Sequence, residues 1–346
     1  MQKNTLPESG RMPYVDAAKA VGILLVIVGH CGNLEAVPYL GKAIYTFHMP
    51  LFFIISGMFV KRLAFGDAVK KHAKAYLWPY AVTCVLETVW PIFTRTILHD
   101  DSLLVVVKDR VVRSLWGSGW DGGEALFATI PRIGAIWFLL ALFFSCTIYA
   151  CLKQHCRPLQ RLMAVLLLYS FGVISAQHVR LPFSLQAGLC ALIFVWFGDE
   201  LRQRRLLTQL QGVNKALLLA FLGIWIVNLL FCPWIGMSVA NMGYNIIGIL
   251  AAIVATVAVI LLCKRLHWSG GWMGRNTLYI LSAHAITLQM QIPSVVRAKL
   301  YAPSSSLANF ALNVVVNVSA VLLLAYVLQR FNILKWPFGH HRRATA

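Results

Sequence analysis

The sequence predicts an all-α polytopic membrane protein of about ten transmembrane helices, with both termini in the cytoplasm. Three observations predict it: an apolar excess, a regular succession of apolar runs, and an uneven placement of cationic residues. Of the 346 residues, 59% are hydrophobic and 12% are charged, against about 45–50% and about 25% in soluble domains. A soluble core cannot absorb that much apolar surface, and the mean hydropathy of +0.70 agrees.

A spanning helix needs about 20 mainly apolar residues. Ten stretches qualify: 18–37, 43–60, 76–98, 134–152, 162–178, 184–200, 215–232, 243–263, 275–293 and 307–329. Short charged or Pro/Gly-bearing breaks separate them, and no internal repeat or low-complexity tract stands out. The chain therefore divides into an N-terminal tail (1–16), a transmembrane domain (17–330) and a basic C-terminal tail (331–346). The first run follows Asp16 and Lys19 and lacks a small-residue cleavage site, so it is expected to be a retained helix and not a signal peptide.

Orientation follows from the cations. With both termini inside, 22 of the 31 Lys and Arg residues fall in cytoplasmic segments. The remainder are Lys42, Arg95, Lys108, Arg110, Arg113, Arg132, Arg180, Arg297 and Lys299. That bias is the positive-inside pattern. It also accounts for the net charge of +19 without nucleic acid. The eight cysteines lie mostly in or beside apolar runs. None forms a CxxC pair or a Cys/His cluster, so they read as small core hydrophobes, and no metal site is expected.

One long connector, 99–133, is expected outside. Its "VVVKDRVVRSLWGSG" suits an amphipathic helix on the membrane surface, with Trp116 and Trp120 at the interface; the plainer reading is a solvated connector. The Gly-rich "WGSGWDGG" reads as a flexible outer loop. No phosphate-cradling GxGxxG, GxSxG elbow or HExxH is present.

Titratable groups at membrane depth are costly and usually face a cavity or a partner. In the first span, Lys19 and His30 lie roughly 16 Å apart along the axis and about 20° apart around it, with Asp16 about 40° off the same line. Lys19 then sits at the cytoplasmic rim and His30 near mid-membrane. The second span returns inward and places His48 near the depth of His30, with Met49-Pro50 expected to kink the helix. Glu87 falls about halfway across the third span and His284 at similar depth in the ninth. Three histidines and a carboxylate could converge on one intramembrane chamber. Each also has a plain reading. A buried histidine can simply bond a neighbouring helix, Glu87 can hold helices together, and Lys19 can be a snorkelling lysine. The "WFLLALFF" stripe from Trp137 to Phe144 reads mainly as packing.

Four stretches resemble the acyltransferase-3 family, multispanning membrane enzymes that move acyl groups, mostly acetyl, onto carbohydrate hydroxyls. Lys19 and His30 match its pattern of a basic residue, a ten-residue gap and a histidine. "FHMPLFFIISGMF" (Phe47 to Phe59) is similar to the second-span block of the fucose 4-O-acetylase-like branch. "AIWFLLALFF" resembles the mid-chain Trp-Phe-Leu block, and "GRNTLYILSAHA" (Gly274 to Ala285) the late Gly-x-Asn-Ser/Thr-Leu…His block. The resemblance implies acetyl-CoA as donor and a glycan or lipid-linked oligosaccharide as acceptor, in the lipid of a bacterial inner membrane. It implies His30, His48, Glu87 and His284 as catalytic residues. Lys19, Asp16 and Arg275 would then hold the donor at the cytoplasmic rim. The competing expectation is a proton-coupled transporter or flippase that uses the same histidines as a relay.

Overall fold

A computed structural model describes residues 12–32, 34–98, 102–119, 124–125, 128–129, 131–210, 215–233, 235–290 and 306–335. Each of the ten expected stretches contains a helix. These are α1 (Pro13–Gly29), α2 (Pro38–Phe59), α4 (Trp78–Pro91), α6 (Trp137–His155), α7 (Pro158–Ser175), α8 (Leu185–Gln203), α10 (Lys215–Phe231), α11 (Ile246–Arg265), α13 (Thr277–Met290) and α14 (Ser306–Arg330). Short helices α3 (Phe65–His72), α9 (Leu206–Gln209) and α12 (Gly271–Arg275) cap one end of the bundle, and α5 (Leu103–Trp116) lies near the other. A hairpin of two-residue strands, Glu124–Ala125 and Ala128–Thr129, interrupts the helical pattern.

Among the described residues, five helices, α2, α6, α7, α11 and α14, are long and apolar enough to cross a membrane. Three others fall short for visible reasons. Helix α1 has 17 residues, and α4, between its widened turns, has 14. Helix α8 reaches 19 but ends in Asp199, Glu200 and Arg202. The third expected stretch is one helix with widened turns, at 73–77 before Pro79 and at 92–98 after Pro91. Each proline lacks an N–H for the ladder, which disturbs the regular i→i−4 pattern. Helix α2, by contrast, runs unbroken through Pro50.

Helices α1 and α2 form the expected antiparallel hairpin. Gly22 faces Leu51 and Phe52, and Gly29 faces Ile44 and Tyr45, which fixes the register. Helix α8 is the central strut, with Cys190, Leu192, Phe194 and Val195 fully buried. It meets α2 through a reciprocal glycine pair. A Cβ on Gly57 would collide with the Val195 carbonyl, and one on Gly198 with the Ile54 carbonyl. Small residues let backbones approach this closely, and dispersion then holds the helices together in lipid.

Ion pairs close the α8 end. Lys153 meets Asp199 at 2.6 Å and Arg161 meets Glu200 at 3.1 Å, tying α6, α7 and α8 together. Lys153 Nζ also donates to Val60 O at 2.9 Å, and Arg202 donates to Met58 O at 2.9 Å. Carbonyls at the end of α2 that the helix itself cannot satisfy are satisfied in this way.

The amphipathic helix expected in the long connector is α5. It exposes Leu104, Val111 and Leu115 and closes on Gly117, whose left-handed backbone (φ 62°) lets its N–H reach Arg113 O. Part of the Gly-rich loop is ordered by a bridge between Ser118 and Arg132. Trp120 lies outside the described residues.

Candidate active site

The first helix ends earlier than the sequence suggests. Helix α1 stops at Gly29, and His30 is its C-terminal cap residue (φ −103°, ψ 5°). The span expected to run to residue 37 gives way to a turn and a short 3-10 segment, Leu34–Ala36. His30 is therefore placed at a helix end, with the negative pole of the helix dipole against its ring. The dipole favours the positive charge an imidazole gains when it takes a proton.

Beside this turn lies a cavity of about 570 Å³. Its α1 wall is Lys19, Ile23, Val26 and His30, a single helix face. Its α2 wall includes Tyr45, His48, Phe52 and Ser56. Trp137, Phe138, Leu139 and Leu142 of α6 and Thr277, Leu278 and Leu281 of α13 complete the sides. The aromatic stripe of α6 is thus divided: this face lines the cavity, while Phe143 and Phe144 turn to an outer groove. At the end away from Lys19, the lining comes from loops, with Arg132, Ser238 and Asn241.

The two lining histidines share one geometry. His30 Nδ1 lies 2.8 Å from Val26 O, and His48 Nδ1 lies 2.7 Å from Ile44 O. A carbonyl only accepts, so Nδ1 carries the proton in both rings. Each neutral imidazole then keeps Nε2 as its basic nitrogen. Tyr45 stands between them, its ring 6.3 Å from that of His30 and 5.0 Å from that of His48.

His284 packs behind His30, edge-on, with ring centroids 5.0 Å apart. It is buried, is not part of the cavity lining, and neither ring nitrogen has a hydrogen-bond partner among the described residues. Glu87 does not line the cavity with His30 and His48. Thr83 of α4 bonds Ser282 at 2.8 Å, so residue 87, one turn on, shares that α13-facing side. There it lies near Arg110, which itself donates to Gln289 at 2.6 Å. Glu87 is 1% exposed, and neither oxygen has a hydrogen-bond partner among the described residues.

Of the three rim residues, only Lys19 reaches the cavity. Asp16 pairs with Lys19 at 3.3 Å and is otherwise enclosed. A Cβ on Gly270 or Gly274 would strike its backbone, so α12 is pressed directly onto that turn. Arg275 is exposed on α12, next to this contact and outside the cavity lining.

Residues 12–330 match the acyltransferase-3 family, described as an acyltransferase domain. The chain belongs to this family. It is also similar to nodulation protein NolL of Mesorhizobium japonicum, at 31% identity over 144 residues. That match covers 38% of this chain and 33% of NolL, so the chain spans about a third of the length of the curated relative it matches. No solved structure matches.

Two cavity residues of this acyltransferase-3 chain escape a reading by helix pattern. Arg132 enters from a loop, held by its bridge to Ser118 and by Arg113, which donates to its carbonyl at 3.0 Å. It is close enough for its charge to act on His30. Tyr45 donates to Gly29 O at 2.9 Å and so touches both the cavity and the His30 turn. A guanidinium fixed beside a basic imidazole can stabilise negative charge that develops on an oxygen held between them.

Proposed function

We propose that the protein is a membrane O-acyltransferase that moves an acetyl group from acetyl-CoA to a hydroxyl of a cell-surface or exported glycan. The observation that carries this reading is one cavity with Lys19 at one end and His30, His48 and Arg132 toward the other. Lys19 offers a phosphate a charge-assisted contact. His30 Nε2 takes the proton of the acceptor hydroxyl. The oxygen attacks the thioester carbonyl, the C–S bond breaks, and the proton passes from His30 to the leaving CoA thiolate. Arg132 faces the negative charge on the carbonyl oxygen during that step.

The protein, purified and incubated with labelled acetyl-CoA, should release free CoA, and a suitable glycan should increase the rate. A transporter or flippase would leave the thioester intact, and that result would remove the enzyme reading.

Lys19 and Arg132 should fail differently. Lys19→Ala should weaken acetyl-CoA binding by about 1.5–3 kcal/mol, and Lys19→Arg should keep most of the affinity. Arg132→Ala should lower turnover and leave donor binding in place. Titration calorimetry with acetyl-CoA, set beside initial rates, separates the two; equal donor affinity in Lys19→Ala would remove Lys19 from the donor site.

The charge bias supports cytoplasmic termini in a bacterial inner membrane, with the Lys19 end facing the cytoplasmic donor. Reporter fusions at Ala68 and at the C-terminus should read cytoplasmic, and one at Gly119 should read outside. A cytoplasmic signal at Gly119 would overturn this orientation.

A further inference from the structure

We infer that Asn313 and Asn317 of α14 are positioning residues that clamp the turn after α1 and so set the direction of the His30 imidazole. The inference rests on His30 as the base of the proposed reaction. Helix α14 is apolar over most of its length, yet it carries Asn309, Asn313 and Asn317 four residues apart, on one face. Asn313 is 1% exposed and Asn317 is 6% exposed. An amide buried among apolar helices is costly unless it is bonded.

Their partners are the residues on the far side of His30. Asn313 Nδ2 donates to Gly32 O at 3.0 Å. Asn317 Nδ2 donates to Cys31 Sγ at 3.4 Å and also to the main-chain O of Asn313, one turn back, at 3.0 Å. Tyr45 of α2 holds Gly29 O on the near side, at 2.9 Å. Residues 29, 31 and 32 are thus fastened from two helices, while the His30 ring itself bonds only back to Val26 O among the contacts described. The turn's own backbone bonds are few, His30 N–H to Ile27 O at 3.2 Å and Cys31 N–H to Val28 O at 3.1 Å, so its position also depends on what holds it from outside. The ring is thus held to α1 by Val26 O, while the backbone that carries it past the helix end is held by α2 and α14.

The test uses the full chain in detergent or proteoliposomes. Asn313→Leu and Asn317→Leu are assayed for kcat and KM with acetyl-CoA, and for the rate at which Cys31 reacts with N-ethylmaleimide, read by peptide mass spectrometry. The expected result is a fall in kcat of about 10–100-fold with KM held, because a misplacement of about 1 Å can cost about 100-fold. Cys31, now buried, should label faster. Asn313→Gln keeps an amide donor and should regain most of kcat. If Asn313→Leu does not assemble, Asn317→Ala, a smaller change, carries the same expectation. Wild-type kcat in these variants alongside an inactive His30→Ala would overturn the clamp and leave the base standing. An active His30→Ala would instead strike the base, and the Cys31 rate would then judge the clamp alone, an unchanged rate overturning it.

Discussion

Replacement of His30 by alanine is expected to lower acyl-transfer turnover by about 10²–10⁴-fold, the usual contribution of a general base. The argument comes from the tautomer and the helix end together. Val26 O accepts a hydrogen bond from Nδ1–H, so Nε2 is the ring's basic atom. The α1 dipole then favours the charge that the ring acquires. The variant should still insert, because alanine is cheaper in a bilayer than histidine. Acetyl-CoA should still bind, since Lys19 lies roughly 16 Å away along the helix. Single-turnover release of CoA, measured beside donor binding, makes the comparison. Near-normal transfer in an inserted His30→Ala protein would end the catalytic assignment.

Gly198→Leu is expected to abolish the assembled protein. A Cβ at Gly198 already collides with the Ile54 carbonyl, which belongs to a helix backbone and cannot rotate aside. Overpacking typically costs about 1–3 kcal/mol, and a backbone clash at the α2–α8 seam belongs at or above that range. Because α2 carries His48 and Tyr45, separating the seam also disperses the cavity wall. Gly223→Ala is the matched control. Nothing lies within 4 Å of a Cβ there, and alanine in a helix interior is favoured over glycine by about 0.5–1 kcal/mol. Gel filtration and thermal stability in detergent should separate the two variants. A monodisperse Gly198→Leu protein of unchanged melting temperature would show that the seam tolerates expansion.

The helical segments and the shared face of Lys19 and His30 were legible because both depend on local rules: apolar length in one case, and 100° per residue in the other. The α1 boundary was not, since the apolar run continues past Gly29 while the turn is fixed by Tyr45 and Asn313 from distant helices. The facing of Glu87 was not legible for a related reason. Helix α4 is apolar around much of its surface, so its sequence does not say which way residue 87 turns; the Thr83–Ser282 bond decides it. Arg132 was visible only as an outside charge, because a loop has no period from which direction can be read. Of the three rim residues, the pattern favoured Lys19, and only Lys19 reaches the cavity.

The apolar wall of the cavity also bears on electrical insulation. Between Lys19 and His30 the lining includes Ile23, Val26, Met49 and Phe52, with His48 and Tyr45 as the polar groups of the α2 wall. An ion crossing this largely apolar stretch would have to shed much of its hydration, which is costly. A neutral acyl chain meets no such barrier. A chamber walled in this way is expected to leave the ion gradients of its host membrane undischarged.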